Sequence, residues 1–153
     1  PAKIVVCSTA PQIRYPDCYG IDMSELGKFI AFQAAVALHR RAGRQSLLDL
    51  IYRDCLEELK KPVAQQVNRV KPVYDAFSDS QISEEISRMV YPEDIDWNGE
   101  LQVIFQTIEN LHDSIQGECG DWYFTGDYPT PGGLGVLNRA YMNYWEKREG
   151  RAY

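Results

Sequence analysis

Lys3-Ile4-Val5-Val6-Cys7-Ser8 is the stretch on which the reading of this 153-residue chain turns. From Ile4 to Cys7 it is apolar at every position, with no alternation of polar and apolar residues. Alternation marks a strand with one wet face. A continuous run suits a strand buried on both faces of a parallel sheet, although periodicity alone leaves a buried helix segment open. Such a strand needs neighbours, and no second run of this kind follows, so the chain reads as a piece of something larger.

Working outward, Thr9 to Met23 contains Pro11, Pro16 and Gly20, which forbid continuous helix and predict an extended loop. From Ser24 the pattern changes. Ser24 can cap a helix whose apolar positions Leu26, Phe29, Ile30, Ala34, Ala37 and Leu38 recur at helical spacing until Gly43. A second helix is expected from about Ser46 to Lys61, with Leu48, Ile51, Tyr52, Cys55 and Leu59 on one side and Pro62 closing it. Val63 to Phe77 is weakly helical and interrupted by Pro72, while Ser80 to Tyr91 is helical and stops at Pro92. After an acidic loop to Glu100, the residues Leu101, Ile104, Phe105, Ile108, Leu111 and Ile115 make a strong helical stripe that ends at Gly117. Asp121 to Gly126 is aromatic and predicts one short strand or turn. A last helix begins near Leu134 and carries Leu137, Tyr141, Tyr144 and Trp145 on one face. The expected fold class is α+β and predominantly helical: a short N-terminal strand, then a helical C-terminal region, in a single domain over residues 1–153.

Lys and Arg number 16 against 22 Asp and Glu, a formal net charge of −6. A chain of this length buries roughly 68–70% of its unfolded surface, enough for a core without disulfides or metal. No run approaches the roughly 18 consecutive apolar residues of a membrane helix, and no secretory pattern opens the chain. The acidic balance disfavours nucleic acid. The expected setting is cytoplasmic, with neither membrane nor nucleic acid as partner. Cys7, Cys18, Cys55 and Cys119 form no C-x-x-C pair and no dense framework, which points to reduced thiols. His39 and His112 have no second ligand at helical spacing, and Glu93, Asp94, Asp96 and Glu100 lack the oxygen spacing and glycine of a calcium loop. Gly132-Gly133-Leu134-Gly135 carries no phosphate-binding lysine, and no nucleophile elbow is present.

Two motifs go further. Ser8-Thr-Ala-Pro-Gln-Ile-Arg-Tyr-Pro-Asp-Cys-Tyr-Gly-Ile-Asp-Met23 resembles the segment S-A-A-P-x-I-x-x-P-N-x-Y-G-I-D-M of amidophosphoribosyltransferases, the glutamine-dependent enzymes that begin purine synthesis. Phe124-Thr-Gly-Asp-Tyr-Pro-Thr130 resembles a C-terminal element, F-T-G-x-Y-P-T, of many bacterial members. The stretch from Gly27 to Gln116 looks longer than, and different from, the family C-terminus.

The resemblance implies that residues 1–23 are the strand and loop left from a type I phosphoribosyltransferase sheet and that 24–153 are a helical extension with the C-terminal element. Ala10, Pro11, Tyr19, Gly20, Ile21 and Asp22 would then lie at a strand's carboxyl end, where α/β sheets place ligands, and form part of a substrate-site wall. Leu26 would fall near the ammonia channel of the family. The alternative is that these loop residues simply shape a turn and pack. The family's N-terminal glutaminase cysteine, and its acidic pair followed by S-I-V-R-G-T-T, are not in this sequence. The fragment is therefore expected to be non-catalytic and free of cofactors, with Mg²⁺ belonging to the parent. Gly120-Asp121-Trp122-Tyr123 stands where some members have a cluster-binding C-x-x-C, and Cys18 is one place off, so no iron–sulfur cluster is expected. The implied partners are the glutaminase and phosphoribosyltransferase domains of the parent, in a homo-oligomer. A second reading is a non-catalytic helical interaction module that docks through Tyr141, Tyr144 and Trp145.

Overall fold

The structure is a computed structural model and describes all residues except Gly20, Asp22, Ile95, Gln116, Glu118, Cys119 and Tyr153. Its elements are β1 (Lys3–Ser8), a 3₁₀ turn (Leu26–Lys28), α1 (Ile30–Arg41), α2 (Gln45–Glu58), a second 3₁₀ turn (Val63–Gln65), α3 (Pro72–Asp75), α4 (Asp79–Met89), β2 (Glu100–Phe105), α5 (Ile108–Ser114), α6 (Trp122–Thr125) and α7 (Pro131–Trp145). The fold is α+β. β1 and β2 pair in parallel, Lys3 beside Glu100 through Ser8 beside Phe105.

The neighbour that β1 needs thus lies within the stretch whose spacing predicts a helix from Leu101 to Ile115. Two periods are superposed there. Leu101, Val103 and Phe105 are half-buried while Glu100, Gln102 and Ile104 are exposed, a period of two hidden inside an apolar spacing that also fits a helix. Val, Ile and Phe suit a pleated surface, and the ladder offered by β1 decides the contest. Helix begins only at α5, where the Thr107 side chain accepts the Asn110 N–H at 3.0 Å. A second correction concerns β1 itself. It is a parallel strand, but Ile4, Val5 and Val6 are 39%, 45% and 50% exposed, because among the described elements only β2 packs extensively against it.

Helix boundaries also move. Ser24 caps nothing: it is buried, Leu26–Lys28 is a 3₁₀ turn, and α1 starts at Ile30 behind Phe29, whose backbone is extended. Pro72 opens α3 rather than interrupting a helix, since its missing N–H costs nothing in the first turn. Ser78 and Gln81 form a reciprocal capping box at α4, with Ser78 N–H donating to Gln81 Oε1 at 2.9 Å. The aromatic stretch expected as strand or turn is one helical turn, α6, ended by Gly126 at φ +73°.

The core lies among α1, α2, α4 and α7. Phe32 meets the edges of Tyr141 and Tyr144 at centroid distances of 6.0 and 4.7 Å, and Leu48, Ile51, Ile82, Ile86 and Leu137 fill the space around them. Each such side chain contributes about 1.5–3 kcal/mol on burial. Two acids are enclosed with their partners. Glu58 accepts from Arg69 at 2.6 Å, Lys61 at 2.9 Å and the Val67 N–H at 3.0 Å. Burial opposes its charge, but these donors hold its carboxyl below the ordinary value. Glu85 takes both arms of Arg41, at 2.8 and 2.6 Å, and a further bond from Arg88.

Candidate functional site

β1 runs into the loop that carries the first motif, and the loop is held by side chains rather than by secondary structure. Ser8 Oγ donates to the Ala10 carbonyl at 2.9 Å and accepts the Ala10 N–H at 3.2 Å, turning the chain as it leaves the strand. Buried Gln12 anchors it to α4, donating to the Asp79 carbonyl and to Ser83 Oγ, each at 2.8 Å. Arg14 bridges Gln12 Oε1 at 2.7 Å and Asp79 Oδ1 at 2.5 Å, and its guanidinium lies 5.4 Å from the Tyr74 ring centre.

The second motif and the residue before it, Tyr123, close on the first. The N–H groups of Arg14 and Tyr15 both donate to the Tyr123 carbonyl, at 2.8 and 3.0 Å. Tyr128 Oη donates to the Pro16 carbonyl at 2.9 Å, Tyr123 Oη to Asp17 Oδ1 at 3.1 Å, and Tyr74 Oη to the Arg14 carbonyl at 2.5 Å. Burial pushes the phenols of Tyr15, Tyr74 and Tyr128 well above their ordinary 10.0, so all three stay protonated, Tyr74 and Tyr128 as donors to backbone carbonyls and Tyr15 as buried packing. Gly126 permits the approach. At its position a Cβ would come within 2.5 Å of the Asn68 amide and 2.8 Å of the Tyr15 ring.

Two hollows flank Ala10 and Pro11 at the carboxyl ends of the parallel strands. One, of about 470 Å³, is apolar and bounded by Ile13, Met23, Phe29 and Phe105, with Lys28 at its margin. The other, of about 280 Å³, is bounded by Thr9, Leu111, Phe124 and Asp121. The Asp121 carboxylate is held at 2.8 Å from His112 Nε2, a partner that helical spacing could not reveal because it comes from nine residues away across a turn.

Of the residues expected at the site, Ala10 and Pro11 therefore line both hollows. Tyr19, 71% exposed, and Ile21 stand out from the loop and border neither. Gly20 and Asp22 lie outside the described residues. Leu26 is fully buried and borders neither hollow; it lines a separate one with Tyr144 of α7 and Lys147 just beyond that helix. Gln12, Arg14, Tyr123 and Tyr128, which do most to hold the site, are not singled out by the sequence reading; ten tyrosines in 153 residues was the available signal. Among the described residues no group of three or more His, Cys, Asp or Glu could hold a metal ion, and no helix is long and apolar enough to cross a membrane. Cys7, Cys18 and Cys55 are free thiols, with Cys55 pushed up to about 12 by burial; Cys119 lies outside the described residues.

No known family model, curated protein or solved structure matches this chain.

Proposed function

We propose that this chain is the C-terminal part of an amidophosphoribosyltransferase-like enzyme and is itself non-catalytic. In that reading the intact polypeptide uses ammonia released from glutamine to attack the anomeric carbon of phosphoribosyl pyrophosphate, forming the C–N bond of 5-phosphoribosylamine as the C–O bond to pyrophosphate breaks. Mg²⁺ would accompany phosphoribosyl pyrophosphate in the parent, on residues outside 1–153. The present residues supply part of the wall through Ala10 and Pro11, and the helices between Gly27 and β2 serve as a helical cap. The parent acts in the cytoplasm as a homo-oligomer.

One observation carries this reading. Tyr128 of the second motif-like stretch donates to the Pro16 carbonyl of the first, and Tyr123, the residue just before that stretch, accepts from the Arg14 and Tyr15 N–H groups, in the loop that leaves the carboxyl end of a parallel strand. Parallel α/β sheets bind ligands in that place. The docking-module reading is weakened by burial: Tyr141 is fully enclosed, and Tyr144 and Trp145 pack partly buried against it.

The test is an assay of the intact polypeptide for glutamine-dependent pyrophosphate release from phosphoribosyl pyrophosphate. Activity is the expected result. An intact polypeptide with neither a leading catalytic cysteine nor an acidic pair followed by R-G-T-T would remove the reading.

A further inference from the structure

α5 has no buried residue, and no described element packs extensively against it. At seven residues it is too short to persist alone, since isolated helices below about 12–15 residues are marginal in water. Its helical state therefore depends on what holds it down. Thr107 caps its first turn. Among the described residues, one side-chain bond joins α5 across to another element: His112 Nε2 donates to Asp121 Oδ2 at 2.8 Å. Asp121 is the N-cap residue of α6.

Between α5 and the rest of the chain lies the hollow of about 280 Å³, with Leu111 and, just past the helix, Ile115 on one side and Thr9, Ala10, Pro11 and Phe124 on the other. Ile108, Leu111 and Ile115 fall on one face at helical spacing, yet Leu111 is only half-buried and Ile115 is 53% exposed. An apolar face closed on a core would be buried; this one closes on space. The opposite wall is fixed, because the Tyr123 carbonyl of α6 accepts the Arg14 and Tyr15 N–H groups. One wall of the hollow is thus clamped, and the other hangs on a single ion pair whose partners both retain contact with water.

We propose that α5 is a flap over the hollow beside Ala10 and Pro11, latched by the His112–Asp121 pair, and that it opens by local unfolding to admit small molecules to that hollow. Latch and hollow both lie within residues 1–153, so the flap is independent of the reaction of the intact polypeptide.

Residue-resolved amide hydrogen exchange on the intact polypeptide tests it. The Leu111 and Ile115 amides, held by the Thr107 and Leu111 carbonyls at 3.0 Å each, report on α5, and the Ile82 amide, held by the Ser78 carbonyl at 3.1 Å, reports on the helical body. Leu111 and Ile115 should be protected about 100-fold less than Ile82, the mark of a segment that opens alone. His112→Gln and Asp121→Asn should each speed Leu111 and Ile115 about two- to fivefold, as for the loss of a partly exposed ion pair, and leave Ile82 unchanged. The double substitution should add nothing to either single one. With Phe124→Cys as a reporter in the hollow, labelling by a bulky maleimide should rise by the same factor when His112→Gln is added; if that reporter does not fold, the exchange rates decide alone. α5 amides as slow as Ile82, rates that neither substitution moves, or labelling indifferent to His112→Gln each overturns the proposal. These outcomes are read the same way whether or not the intact polypeptide has amidotransferase activity.

Discussion

The helical body encloses its apolar groups together with its few buried charges, whereas the two-stranded sheet leaves valine and isoleucine side chains in water. Phe32 and Val6 illustrate the contrast. Phe32 is fully buried between α1 and α7, while Val6, in a strand with stronger local β preference, is half exposed. The body has solved its packing with its own sequence. The sheet has the residues of an interior and the surroundings of a surface, which is the pattern of an interface.

Substitutions can break or sharpen that contrast. Phe32→Ala removes an aromatic ring in edge contact with two tyrosines and should cost about 3–5 kcal/mol in a urea titration. A loss below about 1 kcal/mol would mean that the helical body is not the stable part. Gly126→Ala places a Cβ against Tyr15 and Asn68 at a left-handed φ, and should cost about 2 kcal/mol. It should also speed exchange of the Arg14 and Tyr15 amides, which the Tyr123 carbonyl holds.

Glu58→Gln comes next. Arg69 and Lys61 are partly exposed and can turn to water when the charge goes, so the loss should be about 1–2 kcal/mol, less than for breaking a fully buried pair.

The pH dependence should be gentler still. Burial lowers the pKa of His39 below the ordinary 6.5, although its Nε2 donates to the Val73 carbonyl at 2.9 Å. The unfolded chain therefore binds that proton more readily. The stability linked to His39 is complete above pH 6.5 and is lost as pH falls from there toward the folded value, no faster than about 1.4 kcal/mol per pH unit. A urea midpoint followed downward from pH 8 should decline in that window, and His39→Gln should flatten it. Glu58 and Glu85, both held below 4.5, should add a second decline under that pH. Smallest of all, Val5→Ser on residues 1–153 should change stability by less than about 0.5 kcal/mol, as for a surface position. A larger cost there would mean that the faces of β1 are already covered.

Much of the architecture was legible in the chain. The core positions of α1, α2, α4 and α7 follow from helical spacing, because an amphipathic helix must bury one stripe wherever it packs. β1 was legible as a parallel strand from its unbroken apolar run. β2 was not, because Leu101, Val103 and Phe105 carry a strand period inside a spacing that fits a helix equally well, and only pairing with β1 separates the two. Ala10 and Pro11 could be placed at the site from their position after β1. The residues that build its walls could not, since Arg14 meets Tyr123, and His112 meets Asp121, only after the chain has turned back on itself.

Local chemistry thus determined the amphipathic stripes of α1, α2, α4 and α7, the cap of α4 and the absence of a polar face between Ile4 and Cys7 of β1. Tertiary structure decided the second strand, the clasp between the two motif-bearing segments and the open edge of β1. The physical reason is range: capping and periodicity act over a few residues, whereas strand pairing and tyrosine-to-carbonyl contacts join groups about a hundred residues apart and exist only once the fold has brought them within hydrogen-bonding distance.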